Sequence, residues 1–190
     1  MPVADQKGSG VDRALLDMLR EFGAPATLFL NRRWIDTHPD LTRELIEDSL
    51  FRVHNHGTAH VPLSSTGRSA YEIGGTASLA EAAAEVETNM QHVRDKFGTE
   101  MTKFRSGTAH YDDVCVDMLT QGGYQVIGFT TNVDAGATAP AGTVTRELLN
   151  APNGAICIGH MNQPSSGTAA GVRAALIELR RRGDTAFVWP

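Results

Sequence analysis

Residues 51–60 read FRVHNHGTAH, an apolar strand pattern that runs directly into a group of histidines. Phe51 to Asn55 has the aromatic and β-branched content of a strand. Five further strand patterns occur along the chain, at residues 26–30, 102–105, 125–130, 155–159 and 185–189. Helical patterns separate them, at residues 11–22, 39–50, 78–97, 112–121, near Thr143 and at 168–182. Strands that alternate with helices form parallel sheets, so the sequence predicts an α/β fold.

The N-terminal end of this pattern is irregular. The first predicted helix has no strand before it, although a closed barrel needs every strand because an open edge exposes unpaired backbone groups. We therefore predict that the first strand is truncated, with residues 1–10 (MPVADQKGSG) as its remnant and the domain proper at 11–190. The polar stretch from Gly57 to Ala77 is too long for an ordinary connection and indicates a functional loop.

The composition is that of one globular domain with an acidic balance. A chain of 190 residues can bury its own core, and a net charge of −5 disfavours nucleic acid as a partner, because phosphates require a basic surface. Cys115 and Cys157 form no disulfide framework, and both lie in apolar patterns that predict buried thiols. No stretch approaches the roughly 20 apolar residues of a membrane span, and the first residues show no secretion-signal pattern.

Polar groups follow four of the predicted strands. In parallel barrels, reactive groups gather at the carboxyl ends of strands. The four groups are the histidines at 54–60, Arg105, Asp134 and His160. Four such coincidences indicate a single site. The alternatives are a surface charge for Arg105, an Asp-stabilised turn for Asp134 and a core histidine for His160.

His56 and His60 are spaced i, i+4, and one helical turn at this spacing places both imidazoles on one side, at a separation that a divalent metal can bridge. Nitrogen ligands suit zinc first, with cobalt or nickel as alternatives, and a third ligand, usually a carboxylate, would leave positions for water and substrate. The alternative is a pair of surface histidines. Asn55 can be a simple turn residue, and His54 is expected on the other face of its strand.

The order of these motifs resembles that of the polysaccharide deacetylase family, also called NodB-like or carbohydrate esterase family 4. Residues 51–64 (FRVHNHGTAHVPLS) resemble its His-(Ser/Thr)-x-x-His metal motif, with Gly57 where Ser or Thr is commonest. Residues 104–107 (FRSG) resemble the family's arginine motif. Residues 132–136 (NVDAG) resemble its aspartate motif, and residues 156–160 (ICIGH) resemble its final histidine motif. The family's opening aspartate motif is not found. Asp5 takes the place of the first Asp in that motif, the family's catalytic base, only if a few loop residues are deleted. Otherwise this base is absent from the sequence.

The resemblance implies a distorted (β/α) barrel of the NodB/glycoside hydrolase–deacetylase type. It also implies a metal-dependent hydrolase that removes N-acetyl groups from amino-sugar polymers or oligomers, located outside the cytoplasm, in an extracellular or periplasmic space. His56, His60 and an N-terminal Asp would hold the metal, and residues 1–10 would be the remnant of the N-terminal catalytic segment.

The resemblance further implies a role for each remaining motif. His160 would protonate the leaving amine, tuned by Asp134. Arg105 would orient the catalytic carboxylate, for which Asp5 is the candidate. A backbone N–H near Thr108 would hold the oxyanion. The apolar side chains of Ile156 and Ile158 would line the pocket for the acetyl methyl.

Two other interpretations stay open. One is an inactive relative that binds metal or glycan without turnover, because the N-terminal Asp motif is missing. The other is a different metal-dependent amide hydrolase on the same scaffold, with a non-sugar substrate.

Overall fold

The structure, a computed structural model, describes residues 8–183 and 187–190. It divides into two compact units: residues 27–128 form one, and residues up to 26 together with those from 129 onward form the other. Asp5 and most of the predicted N-terminal remnant lie outside the described residues. In chain order the elements are α1 (Arg13–Phe22), β1 (Ala26–Leu30), α2 (Arg32–Thr37), α3 (Pro39–Glu47), β2 (Phe51–Asn55), α4 (Leu79–Phe97), β3 (Lys103–Phe104), α5 (Asp113–Gln121), β4 (Gln125–Val126), β5 (Thr131–Asn132), α6 (Ala141–Leu149), β6 (Cys157–Ile158) and α7 (Thr168–Arg182).

The unit of residues 27–128 is built on a four-stranded sheet in the order β1-β2-β3-β4. β2 pairs with β3, and β3 with β4, in parallel, so the carboxyl ends of these strands lie at one edge. Asn55 pairs with Phe104 in this register, which brings the residues after both strands together. The largest fully buried side chains of the unit are Ile35, Leu45, Asn55, Leu63, Val86, Val93, Met101, Phe104 and Leu119.

Side-chain caps explain where the helices of this unit begin. Ser78 accepts a hydrogen bond from the Glu81 backbone N–H at 3.2 Å and starts α4. Asp112 starts α5 in the same way, accepting from the Cys115 N–H at 2.9 Å. Asn31 caps α2, a six-residue helix that the sequence analysis missed because it offers only one apolar turn.

The other unit contains the parallel pair β5 and β6 with three helices. Helix α7 packs against both α1 and α6. Gly171 allows the close approach to α6, since a Cβ there would collide with Val144. Two core clusters hold the unit: Leu15, Met18, Ala24 and Leu176 in one, and Val133, Ala139 and Val144 in the other.

The predicted strand at 125–130 is wrong in its extent. The chain forms β4 at Gln125–Val126 and then β5 at Thr131–Asn132, and these strands belong to different sheets. The break occurs where the carbonyls of Ile127 and Gly128 accept hydrogen bonds from the Arg105 side chain, which competes with continued strand pairing.

Two smaller boundaries also differ from the prediction. Helix α6 begins after Pro140 and not at Thr143, whose N–H already bonds the Pro140 carbonyl at 2.9 Å. Of the closing strand predicted at 185–189, residues 187–190 have no regular secondary structure, and residues 184–186 lie outside the described residues. Within the described chain, no helix combines the length and apolarity that crossing a bilayer requires.

The two cysteines differ in exposure. Cys115 is buried, as predicted, and its pKa is raised to about 12 by burial and by Asp112. Cys157 is exposed, so the prediction of a buried thiol is wrong at this position. It alternates along β6 with the partly buried Ile156 and Ile158 and therefore lies on the opposite face.

We expect a disulfide reagent to label one thiol in the native protein and two in guanidinium. The reason is that Cys115 is fully buried and Cys157 is not. Absorbance of the released thiolate counts the labelled groups, and Cys157→Ser should abolish the native-state signal. Two labelled thiols in the native protein would show that Cys115 is accessible after all.

Candidate functional site

His56 and His60 lie together in the turn that follows β2. Their ring centroids are 4.9 Å apart and their planes are nearly perpendicular, at 87°. Two imidazoles bound to one ion through nitrogens about 2.0–2.1 Å away would place the ring centroids about 5 Å apart. The centroid distance therefore suits two ligands of one metal, and it equally suits an edge-to-face contact of two aromatic rings.

A backbone carbonyl sets the tautomer of His56. Its Nδ1 lies 2.7 Å from the Arg105 carbonyl oxygen. Because a carbonyl only accepts, Nδ1 carries the proton and Nε2 carries the lone pair. A hydrogen bond of this kind orients metal-ligating histidines in proteins. Among residues 8–183 and 187–190, however, no group of three His, Cys, Asp or Glu could hold an ion, so the predicted third ligand is not among them.

The backbone of His60 is in the left-handed region, at φ 64°. Histidine tolerates this region better than branched residues do. Gly107 packs directly against it, since a Cβ at position 107 would lie 2.5 Å from the His60 Cα and 2.6 Å from its Cγ. A glycine at position 107 is therefore required for His60 to occupy its place.

We expect Gly107→Ala to displace His60 and to weaken binding of a divalent metal by about 5- to 150-fold, since relieving such overpacking costs about 1–3 kcal/mol. Calorimetric titration with Zn²⁺ measures the change. Gly74→Ala is the matched control in the same unit, because a Cβ there meets nothing within 4 Å. Wild-type affinity in a folded Gly107→Ala protein would contradict this packing argument.

Asn55 does more than the turn role left open by the sequence. Its Oδ1 accepts hydrogen bonds from the Gly57 N–H at 2.9 Å and from Asn89 Nδ2 at 2.8 Å. Its Nδ2 donates to the Val86 carbonyl at 2.9 Å. The side chain is fully buried, so it joins β2, α4 and the histidine turn through bonds that water cannot replace.

Glu85 is a residue of this site that the sequence analysis missed. It is buried on α4, and its carboxylate accepts hydrogen bonds from the backbone N–H groups of Thr58, Ala59 and His60 at 2.9–3.1 Å. Burial raises the pKa of Glu85, while these N–H groups act in the opposite direction. The available signal was a Glu, followed one turn later by Asn89, on the otherwise apolar face of α4.

Arg105 follows β3 and is buried. Its Nε donates to the Ile127 carbonyl at 2.9 Å and its Nη2 to the Gly128 carbonyl at 2.6 Å. The guanidinium also lies 4.5 Å from the centre of the Phe29 ring, and burial lowers the pKa of the side chain. Within the part of the chain that the structure describes, no carboxylate contacts Arg105. Its role in orienting a carboxylate, with Asp5 as the candidate, stays a prediction.

Asp134 and His160 form a hydrogen-bonded pair in the other unit. His160 Nδ1 lies 2.9 Å from Asp134 Oδ1, and the His160 backbone N–H donates to Oδ2 at 2.7 Å. The Thr168 hydroxyl donates to the same Oδ2 at 2.9 Å. Asp134 is fully buried, whereas the His160 side chain is 36% exposed. His160 is therefore not a core histidine, and the Asp134 side chain does more than stabilise a turn.

The surroundings of Asp134 favour its ionised form. Burial alone would raise the pKa of this carboxyl, but the hydrogen bonds from His160 and Thr168 outweigh burial and lower it. The carboxylate accordingly holds the imidazole by Nδ1 and directs Nε2 away from itself, the arrangement of an oriented acid–base histidine.

The remaining predicted site residues are Thr108, which lies in a turn, and Ile156 and Ile158, which lie at β6. Thr108 lies in a turn closed by the Ala109 N–H and the Ser106 carbonyl at 3.0 Å, and its Oγ1 is buried without a partner among the described residues. Ile156 and Ile158 are partly buried at β6. Their contacts with a substrate stay predictions.

Solved structures of family 4 carbohydrate esterases share this α/β fold. A pseudoenzyme of that family from Bacillus anthracis has a TM-score of 0.78 and 17% identity, covering 96% of this chain and 59% of its own. The family 4 carbohydrate esterase from Streptomyces lividans in complex with acetate has a TM-score of 0.75 and 20% identity, covering 94% of this chain and 84% of its own. For a peptidoglycan deacetylase from Bacillus subtilis the values are 0.73 and 17%, with coverage of 90% and 77%.

The fold is thus the α/β fold of the family 4 carbohydrate esterases, as the sequence predicted. The chain spans about 59% of the length of the Bacillus anthracis protein. A family model described as polysaccharide deacetylase matches residues 4–127, more than half of the chain. The protein belongs to the polysaccharide deacetylase family. The matched segment includes His56, His60 and Arg105 and ends before the Asp134–His160 pair.

Proposed function

We propose that this protein is a metal-dependent hydrolase that removes N-acetyl groups from amino-sugar polymers or oligomers outside the cytoplasm. The observation that supports it most is the His56–His60 pair, with centroids 4.9 Å apart and the His56 tautomer set by a carbonyl. Two imidazole ligands favour zinc, then cobalt or nickel. When bound, such an ion supplies Lewis acidity to an acetamide carbonyl and lowers the pKa of water.

Each predicted side chain has one task in this reaction. His160 donates a proton from Nε2 to the leaving amine while Asp134 holds Nδ1. Arg105 orients the carboxylate of the base, for which Asp5 is the candidate. A backbone N–H near Thr108 holds the oxyanion. The apolar side chains of Ile156 and Ile158 shield the acetyl methyl from water.

Acetate release tests this proposal directly. The protein is incubated with N-acetylglucosamine oligomers and with peptidoglycan fragments, in the presence of Zn²⁺ or Co²⁺ or of a chelator. We expect release that depends on the added metal. A panel of non-sugar acetamides checks whether the scaffold instead serves another amide. Absence of release from every N-acetylated glycan would end the deacetylase proposal.

An inactive relative that binds metal or glycan is the second candidate. It is favoured by one feature of the sequence: the family's opening aspartate motif is not found in it. This candidate predicts a measurable dissociation constant for Zn²⁺ or oligosaccharide, with no acetate released from either substrate.

A further inference from the structure

The turn that carries both histidines is held by a side chain from outside the motif. Glu85 on α4 lies 25 residues beyond His60 and accepts its backbone N–H at 3.1 Å. The same carboxylate accepts from Thr58 at 3.0 Å and from Ala59, whose N–H lies 2.9 Å from each oxygen. The Thr58 hydroxyl adds a bond to the Glu85 carbonyl at 2.9 Å. Glu85 is only 7% exposed, so water does not compete with these bonds.

The backbone of the turn is shaped to receive this carboxylate. Successive N–H groups point at one anion when residues beside them adopt left-handed angles, which makes an anion-binding concavity. Gly57 is at φ 78° and His60 at φ 64°. A Cβ on Gly57 would collide with Glu85 Oε1, so the glycine at this position leaves the space that the carboxylate fills.

We propose that Glu85 is a positioning residue for the metal site: it fixes the backbone of His60 so that its ring stays in place beside His56 before any metal arrives. The inference rests on the proposed metal-dependent function. Glu85 is not itself a ligand in this proposal, because its oxygens are occupied by backbone donors and it forms no metal group with the two histidines among the described residues. It acts through the turn.

Glu85→Gln tests the proposal, because it keeps the volume but replaces one acceptor oxygen with a donor that faces backbone N–H groups. Glu87→Gln is the matched control: the same substitution at an exposed position of the same helix. We expect the dissociation constant for Co²⁺ to rise about 10–100-fold in Glu85→Gln, with an altered visible absorption spectrum, and to stay unchanged in Glu87→Gln. Because Glu85→Gln also leaves buried donors unpaired, binding is measured well below the thermal midpoint of each variant, where both are folded.

Amide hydrogen exchange provides a second measurement that needs no metal. The amides of Thr58, Ala59 and His60 should be protected in the wild type and in Glu87→Gln and should exchange faster in Glu85→Gln. If that variant does not fold, Gly57→Ala displaces the carboxylate by steric contact and should produce both effects.

The outcomes separate this inference from the function on which it rests. Wild-type Co²⁺ affinity and spectrum in folded Glu85→Gln would overturn the positioning role while leaving the metal site intact. Rapid exchange of the three amides in the wild type would overturn it as well. A wild-type protein that binds no metal would refute the proposed function first, and the positioning role with it.

Discussion

Replacement of His56 or of His60 by alanine is expected to abolish stoichiometric binding of Zn²⁺. Each substitution removes one of two nitrogens whose rings lie 4.9 Å apart, and a single imidazole on a turn holds zinc only weakly. Metal-to-protein ratios after equilibrium dialysis measure the loss. The wild type should retain one equivalent and each variant close to none.

His92→Ala is the control for these variants. His92 lies on α4 with its Nε2 2.9 Å from Asp36, outside the histidine turn, so its replacement removes no proposed ligand. It should keep the full equivalent of zinc. A full equivalent retained in His56→Ala or in His60→Ala would refute the ligand assignment.

Loss of His160 should slow acetate release by about 10²–10⁴-fold, the usual contribution of a positioned general acid, while zinc stays bound. The imidazole is held at Nδ1 by Asp134 and does not belong to the His56–His60 pair, so His160→Ala removes the proton donor alone. Turnover number and bound zinc are measured on the same sample. Zinc lost together with activity would make His160 a metal ligand and end its assignment as the acid.

Asp134→Asn should disturb the same function and also the fold. Asp134 is fully buried and accepts hydrogen bonds from two groups of His160 and from Thr168. An amide in its place removes the charge from these bonds and favours the His160 tautomer with the lone pair on Nδ1, at a cost of about 1–3 kcal/mol. Denaturant unfolding measures the free energy, and Thr168→Val, which removes only one donor, should cost less. An Asn variant as stable as the wild type would show that the bonds to Asp134 contribute little.

The pH dependence of stability follows from the lowered pKa of Asp134. Since the folded-state pKa lies below the unfolded one, the stabilisation is complete above about pH 4 and is lost as the pH falls through the lowered value. Unfolding free energies measured from pH 5 to pH 2 should fall more steeply for the wild type than for Asp134→Asn. Parallel curves would show that Asp134 does not contribute to the loss of stability in acid.

Features set by local patterns were predicted well. The ranges 26–30 and 51–55 for strands, and 168–182 for the last helix, match the structure because periodicity and flanking breakers act within one element. The rings of His56 and His60 lie close together, but the helical turn expected from their spacing is wrong, because His60 is in the left-handed region. The family resemblance likewise rested on short motifs and is confirmed by the match over residues 4–127.

What the sequence by itself determined is therefore the α/β alternation, the family and the motif that carries His56 and His60. Only the tertiary structure decided which distant groups meet: the Glu85 carboxylate with the amides of the turn, the Asn55–Asn89 network, and the Arg105 guanidinium with the carbonyls that divide β4 from β5. These contacts join residues more than 20 positions apart, and their strength comes from burial. The spacing of residues along one element predicts neither the distant partners nor their burial, because side chains lose water only when separate elements pack.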